Sequence, residues 1–493
     1  KPQPMILTAL PSFFSDPLFL LLVGVIIVVG GIIAFKLNPF LALLIAAFTV
    51  ALLTPSSSII QFALNKGSTQ AAAEALAAKS IGERIATAFG NTCAKIGILI
   101  AMAAIIGKSM LESGAAERIV RSMLNTLGID KAPVAFLVSS FFLGIPVFFD
   151  IVIFLMIPLA KAVTMRTGKD YLLLVLAITG GAAMANSFVP PAPGPLFLIG
   201  EMNIPIGMMM AGGILLGLVT ITAGYFFAVS VNKKWPVELR DSLDAKLEDI
   251  RKLSNRDDSE LPPLWMALLP VIFPLVMICA DNIVDNLVAK DALQHLSGFK
   301  RFLIGIIEIF GDKNIALISG GIMALLVLLY QRRGNKDLSS FVQAALMSGG
   351  GIILITAAGG AFGGMLQQTG ISYKIGEMTK DYQMALIPLA FLISAVVRTA
   401  QGSATVALIT ASGILSGLAT NANLEYHPIY LGLAIGCGSK LIPWMNDAGF
   451  WIIIKISNLT EKEALRTFSP MLVVMGTVGL IVLMIAAKFF PLI

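Results

Sequence analysis

Apolar residues occupy most of the chain in runs that are long enough for membrane-spanning helices, with short polar stretches between them. A spanning helix needs about 20 apolar residues, and the number of runs predicts ~10–12 membrane-embedded segments. The pattern opens with a pair of helices over 18–35 and 39–53. Residues 61–89 follow as a polar, Ala-rich amphipathic stretch, which we expect outside the hydrocarbon or on the interface.

The same apolar pattern occurs in both halves of the chain. S-M-L-E-S-G ends at Gly114 and M-L-Q-Q-T-G ends at Gly370, an offset of 256 residues. L-A-I-T-G-G begins at Leu176 and L-A-I-G-C-G begins at Leu433, an offset of 257. Two matches at nearly one offset, in an apolar chain with interrupted helices, are typical of secondary transporters built from repeats. Chance similarity in Ala/Gly/Leu-rich sequence is the alternative.

This duplication predicts a division of the chain into six parts. We expect N-terminal helices and an amphipathic segment over 1–90, a first repeat over 91–231, a charged linker over 232–262, connecting or scaffold helices over 263–347, a second repeat over 348–458 and a C-terminal helix over 459–493. The linker is assigned from its charge, because seven Lys/Arg and eight Asp/Glu are mixed over 232–260. Such a mixture indicates a solvated segment.

Two apolar segments are too long for one spanning helix and too short for two. Residues 133–163 and 384–418 each divide at a Gly/Pro/Ser centre into arms of about 13–15 residues, short of the ~20 that a span requires. We interpret each as a re-entrant helical hairpin, with tips at 144–146 and 401–403. Backbone at that depth is tolerated only where it lines a cavity or is buried in protein. A long tilted helix with a kink is the alternative.

Polar and Pro-rich residues interrupt one apolar run in each half. Residues 186–195 contain four prolines and a glycine at 190–195, which no helix can continue through. The equivalent interruption in the second half is 443–451. Inside a membrane, unwound carbonyls and a new helix N-terminus supply groups that bind cations and anions respectively. A surface loop is the alternative for either break alone.

Composition supports the membrane assignment and excludes several other classes. The chain is 57% hydrophobic and 13% charged with a mean hydropathy of +0.87, whereas charged residues approach a quarter of soluble proteins. The net charge of +6 is carried mostly by loops, and the sequence shows no basic pattern that would indicate nucleic-acid binding. The three cysteines lack the paired spacing of a disulfide framework or zinc site. We find no catalytic triad, metal-ligand cluster or phosphate loop, and therefore expect no enzyme, metal or cofactor.

Ionisable residues inside apolar runs are functional candidates because their desolvation is costly. Asp150 has no charged residue within ten positions on either side, so it is our first candidate for a proton-accepting or cation-coordinating carboxylate. Asp447 is the second candidate, with helix capping as its alternative role. Arg398 is suited to pair with a substrate carboxylate, or to neutralise one of these two aspartates structurally.

Neutral polar side chains at the tips and breaks are candidate hydrogen-bond partners for a hydroxylated substrate. These candidates are Asn186, Ser187, Gln401, Ser403, Thr405 and Asn446. Turn capping is the alternative role for the residues at the second tip. The remaining charged residues near helix ends are expected to extend toward the membrane interface rather than to contact a ligand. They are Lys95, Lys108, Glu112, Lys161 and Lys440.

At these motifs the chain resembles the gluconate permease family of secondary transporters, within the wider ion transporter superfamily. The motifs are G-N-T-C-A-K-I-G, I-G-K-S-M-L-E-S-G-A-A-E-R-I, G-I-P-V-F-F-D at 144–150, S-F-V-P-P-A-P-G-P at 187–195, Q-G-S-A-T-V-A at 401–407 and N-D-A-G-F-W at 446–451. The resemblance implies an all-α polytopic protein of the inner membrane with two inverted repeats. It also implies a mobile transport domain that moves against a dimeric scaffold, the elevator mechanism.

The resemblance further implies a symporter for a small hydroxylated carboxylate: gluconate, a related sugar acid, glycerate or a hydroxy amino acid, usually with protons. This chain departs from the family at three positions that are often histidine, where it has Asn186, Ala192 and Trp444. Their absence weakens any expectation that protons couple through imidazole. Either Asp150 carries the proton, or another cation such as sodium is used. A passive channel is a further alternative, although no spanning helix shows a continuous polar face.

Overall fold

The structure, a computed structural model, describes residues 15–240, 260–287, 298–331, 338–371, 373–374, 383–421, 424–445 and 447–492, and every regular element in these ranges is helical. The helices before the linker are α1 (Pro17–Ile33), α2 (Pro39–Leu53), α3 (Ser56–Asn65), α4 (Gln70–Ala78), α5 (Ile81–Glu112), α6 (Ala115–Leu127), α7 (Ala132–Leu143), α8 (Phe149–Thr167), α9 (Tyr171–Phe188), α10 (Pro193–Met202) and α11 (Ile206–Lys234).

Nine further helices follow the linker among the described residues. They are α12 (Leu264–Leu287), α13 (Gly298–Gly311), α14 (Lys313–Gln331), α15 (Leu338–Gln368), α16 (Leu386–Gln401), α17 (Ala404–Asn421), α18 (Ile429–Gly438), α19 (Ala448–Ser457) and α20 (Glu461–Phe489).

The first two helices begin where local sequence signals place them. Asp16 accepts a hydrogen bond from the Leu18 amide at 2.8 Å, and Asn38 accepts one from the Phe40 amide at 2.9 Å. In each case proline occupies the first helical position, where its missing N–H costs nothing. The predicted opening pair is confirmed, and α2 has the expected bounds.

The predicted amphipathic stretch is packed against the protein at one of its charged residues. Arg84, in the first turns of α5, is only 3% exposed. Its guanidinium donates to Gln368 Oε1 at 2.7 Å, just at the end of α15, and to the Ala51 carbonyl at 3.2 Å in α2. These bonds attach the start of α5 to α2 and to the end of α15, and the position of the stretch relative to the hydrocarbon stays a prediction.

Seven segments among the described residues are long and apolar enough to cross a membrane, one of them formed by α9 and α10 together, or nine if each of two strongly bent helix pairs counts as one span. This number is below the predicted ~10–12 segments because five more apolar helices have at most 17 residues. Those five short helices include the arms and broken halves that surround the site.

Each of the two long apolar segments forms two helices rather than one kinked helix. The first divides between α7 and α8, over 144–148, and the second divides at Gly402 and Ser403, between α16 and α17. Gly402 ends α16 in the left-handed region, with φ of 78°. The predicted positions of both breaks are therefore confirmed, because glycine and proline interrupt the helix locally.

The Pro-rich run and its counterpart also interrupt helices, over shorter or shifted ranges. Helix α9 continues to Phe188 and α10 restarts at Pro193, so only 189–192 is non-helical. In the second half the non-helical residues begin at Ser439 and α19 restarts at Ala448. Helices α9 and α18 lie at the centre of the fold. Every residue of α18 is buried, and so is every residue of α9 except Asn186.

Candidate functional site

A cavity of about 550 Å³ lies where the breaks and tips of both halves meet. Its wall is formed by the start of α8, the end of α9, the α16–α17 tip and the residues on both sides of the break before α19. The polar lining consists of Asp150, Asn186, Arg398, Ser403, Thr405, Lys440 and Asp447. Apolar side chains of α15, α19 and α20 complete it. Elements more than 200 residues apart in sequence thus share one polar cavity.

Asp150 lies on this wall in the first turn of α8. The sequence predicts a carboxylate enclosed by apolar residues, but the break at 144–148 brings Asp150 to a helix N-terminus that opens on the cavity, where it is exposed. The positive end of the helix dipole favours its negative charge. No other described residue forms an ion pair with it. Asp150 is therefore accessible to a cation that enters the cavity.

Arg398 and Asp447 form a buried ion pair that joins one tip to one break. Arg398, in the last turn of α16, is 4% exposed, and its guanidinium donates to both the Gly402 carbonyl and the Asp447 carboxylate. The second oxygen of Asp447 caps α19 by accepting from the Gly449 amide at 2.8 Å. Structural neutralisation of Asp447 and capping of α19, both stated as alternatives above, are thus present. Both residues also line the cavity.

The neutral candidates divide into three groups. Asn186, Ser403 and Thr405 line the cavity, although Ser403 also accepts a bond from the Val406 amide at 3.3 Å and so caps α17. Ser187 is fully buried and does not line the cavity; its hydroxyl lies 2.9 Å from that of Ser439. The side chain of Gln401 and the whole of Asn446 lie outside the described residues.

Lys440 is a cavity residue that sequence reasoning missed. It directly follows Ser439, at the end of α18, and is 4% exposed. The expectation that it extends to the membrane interface is wrong, as it is for Lys161, which is fully buried in α8. The length of α18 could have shown this, because a ten-residue helix covers only about half of a bilayer. A lysine at its inner end is therefore far from the interface.

The described side chains provide no ready-made metal site. Among the residues of the described ranges, no three His, Cys, Asp or Glu side chains come together. The lining residues offer charge pairing and hydrogen bonding to a small polar ligand. Its volume lies within the range typical of small-molecule sites, ~300–1,000 Å³.

Comparison with known proteins identifies relatives over almost the whole chain. The model of the GntP family permeases matches residues 16–489. A gluconate permease of Pseudomonas aeruginosa is 29% identical over 96% of this chain and 98% of its own length. The inner membrane permease YgbN of Escherichia coli K12 is 28% identical over 94% of this chain and 96% of its own. The fold is similar to the Alcanivorax borkumensis YdaH transporter, with a TM-score of 0.56, 14% identity and coverage of 82% and 88% of the two chains.

Proposed function

This chain belongs to the GntP family of permeases, and we propose that it imports gluconate or a related small hydroxylated carboxylate together with a coupling cation. It is a multi-pass membrane protein and a transporter rather than an enzyme. Gluconate is the first candidate substrate because a relative that aligns over nearly its full length is named a gluconate permease. We place the protein in the inner membrane, where the name of the Escherichia coli relative locates that protein.

The observation that carries this proposal is the composition of the cavity. Two cationic and two anionic side chains line it, so that with all four ionised their charges sum to zero. An anionic substrate would leave one uncompensated negative charge in a membrane-embedded cavity, which is costly. A proton or sodium ion that enters with the substrate restores neutrality. The neutral side chains of Asn186, Ser403 and Thr405 are suited to the hydroxyls of a sugar acid.

Asp150 is our proposed binding site for the coupling cation. Both oxygens of Asp447 are engaged, one by Arg398 and one by the Gly449 amide. Asp150 carries the other carboxylate in the cavity and has no ion-pair partner among the described side chains. Protons remain the first choice of coupling ion, and sodium is the alternative because Asn186, Ala192 and Trp444 replace family histidines.

Transport in proteoliposomes tests the function and the coupling ion. We expect saturable gluconate uptake that is stimulated by gluconate on the opposite side of the membrane. An imposed proton gradient, or a sodium gradient, should drive accumulation above equilibrium. Conductance without saturation or trans-stimulation would instead identify a channel. A thermal-shift screen of small carboxylates, with matched neutral sugars as controls, would define the preferred substrate.

We further propose two inverted repeats with re-entrant hairpins in an elevator-type dimer. The order and lengths of the helices support a duplication: α5 has 32 residues and α15 has 31, and the closing helices α11 and α20 have 29 each. On this proposal the second repeat extends through α20, beyond the limit at 458 that the sequence indicates.

Inversion predicts that equivalent loops face opposite sides of the membrane. Lys169 lies between α8 and α9, and Glu425 lies between α17 and α18; both are exposed. Each is changed to cysteine in a chain whose three native cysteines have been replaced, and intact cells are treated with a membrane-impermeant thiol reagent. We expect only one of the two positions to react before the membrane is permeabilised. Reaction of both from the same side would contradict inverted repeats.

A further inference from the structure

Lys440 has a position that favours a cation, but no described side chain forms an ion pair or a hydrogen bond with its ammonium. It follows the last turn of α18, and its backbone amide still donates to the Cys437 carbonyl at 3.3 Å. The negative end of a helix dipole favours a positive charge there. The side chain is 4% exposed and lines the cavity. Within the described ranges, the Lys440 ammonium makes neither an ion pair nor a hydrogen bond.

The second cation of the cavity, Arg398, is already committed to protein groups. One terminal nitrogen donates to the Gly402 carbonyl and the other to Asp447, whose charge it neutralises. Its Nε is buried and makes no hydrogen bond. A substrate carboxylate that bound Arg398 directly would have to compete with Asp447 for the same donors. The exchange would leave Asp447 without its buried partner, which is strongly unfavourable.

We infer that Lys440 binds the carboxylate of the substrate, whereas Arg398 is a positioning residue that holds the α16–α17 tip against the break before α19. This inference rests on the proposed function, because it assigns a partner to the charge of the proposed substrate. A buried ammonium without a counter-ion is costly, and a bound carboxylate removes that cost. Lys440 therefore makes the site select organic anions over neutral polyols that carry the same hydroxyls.

Calorimetric binding to the purified full-length protein tests this assignment. Gluconate is compared with gluconamide, which keeps the hydroxyls but has no charge. We expect Lys440→Met to weaken gluconate binding by about 30-fold or more, as loss of one partner of a buried charge pair does, and to leave gluconamide binding unchanged. Lys440→Arg should restore part of the affinity. Lys455→Met, which removes an exposed lysine of α19, is the matched control and should bind gluconate like the wild type.

Thermal unfolding without ligand distinguishes this role from a structural one. Because no described side chain forms an ion pair or a hydrogen bond with the Lys440 ammonium, Lys440→Met should unfold at the same temperature as the wild type or higher, and gluconate should no longer stabilise it. Lys440→Gln provides a second variant that keeps a polar head and should lose affinity equally.

Three results would overturn the inference. If Lys440→Met and Lys440→Gln both bind gluconate with wild-type affinity, the inference is wrong and the proposed function is unaffected. The same holds if both variants unfold at a clearly lower temperature than the wild type. A wild-type protein that neither binds nor transports any sugar acid would overturn the proposed function, and this inference with it.

Discussion

The hydroxyl of Ser187, in the last turn of α9, donates a hydrogen bond to the hydroxyl of Ser439, immediately after α18, over 2.9 Å. The direction follows from the next bond, because the single proton of Ser439 is donated to the Gly436 carbonyl at 2.7 Å. Both serines are fully buried. This short chain of hydrogen bonds joins the two broken helices of the two halves at the centre of the molecule.

We predict that Ser187→Ala affects stability and Ser403→Ala affects ligand binding. Loss of one neutral hydrogen bond costs about 1 kcal/mol. In Ser187→Ala this cost should lower the free energy of unfolding while the gluconate Kd changes little. In Ser403→Ala, whose hydroxyl lines the cavity, the Kd should rise several-fold. Denaturation and calorimetry on the same two preparations check this, and a raised Kd for Ser187→Ala alone would contradict it.

Breaking the Arg398–Asp447 pair should be among the most damaging changes in the chain. Arg398→Met leaves a buried carboxylate without its partner, which costs about 3–5 kcal/mol. The double variant Arg398→Met/Asp447→Asn should recover part of that stability, because neither charge is then left alone. It should still transport poorly, since the tip is no longer tied to the break.

The ion pair of Arg240 with Glu463 is the matched control for this change. Its two side chains are 37% and 27% exposed, so Arg240→Met should cost at most about 1 kcal/mol. Thermal unfolding of all three variants gives the comparison. Equal losses for Arg398→Met and Arg240→Met would show that the buried pair contributes little.

Asp150→Asn should abolish concentrative uptake and spare exchange of substrate. The amide keeps the shape of the side chain but cannot take up a proton or balance a cation. Asp447→Asn should instead impair folding or binding, because it removes the partner of Arg398. Uptake against imposed proton and sodium gradients, measured beside counterflow, checks both variants. Accumulation of substrate against its gradient by Asp150→Asn would remove Asp150 from the coupling role.

A side chain at Gly363 should destabilise the protein, in contrast to one at Gly350 on the same helix. A Cβ added at Gly363 in α15 would lie 2.8 Å from the Cα of Gly413 in α17, so the two helices approach through their glycines. At Gly350 the same atom would meet nothing within 4 Å. Gly363→Ala should therefore cost about 1–3 kcal/mol. Gly350→Ala should be neutral or slightly stabilising, and thermal unfolding of the two variants compares them.

The sequence by itself determined where helices start, end and break. Prolines, glycines and capping side chains act within a few residues, so the opening helices, both tips and both interruptions were found close to their predicted positions. The prediction that Asp150, Asn186, Ser403 and Thr405 would come together also followed from sequence, because interruptions in two matched apolar patterns indicated where polar side chains would meet, and all four line one cavity.

Which side chains form hydrogen bonds and ion pairs with one another was decided only by the tertiary structure. Asp447 lies 49 residues from Arg398, and Ser439 lies 252 residues from Ser187, so neither pairing leaves a local signal. Asn186 and Ser187 are neighbours, but successive side chains of a helix point in different directions. Asn186 therefore lines the cavity, whereas Ser187 is buried and its hydroxyl meets that of Ser439. For Lys440, the length of α18 is a sequence signal that places it away from the interface, but only the packing of α8, α9, α16 and α19 around it makes it part of the cavity wall.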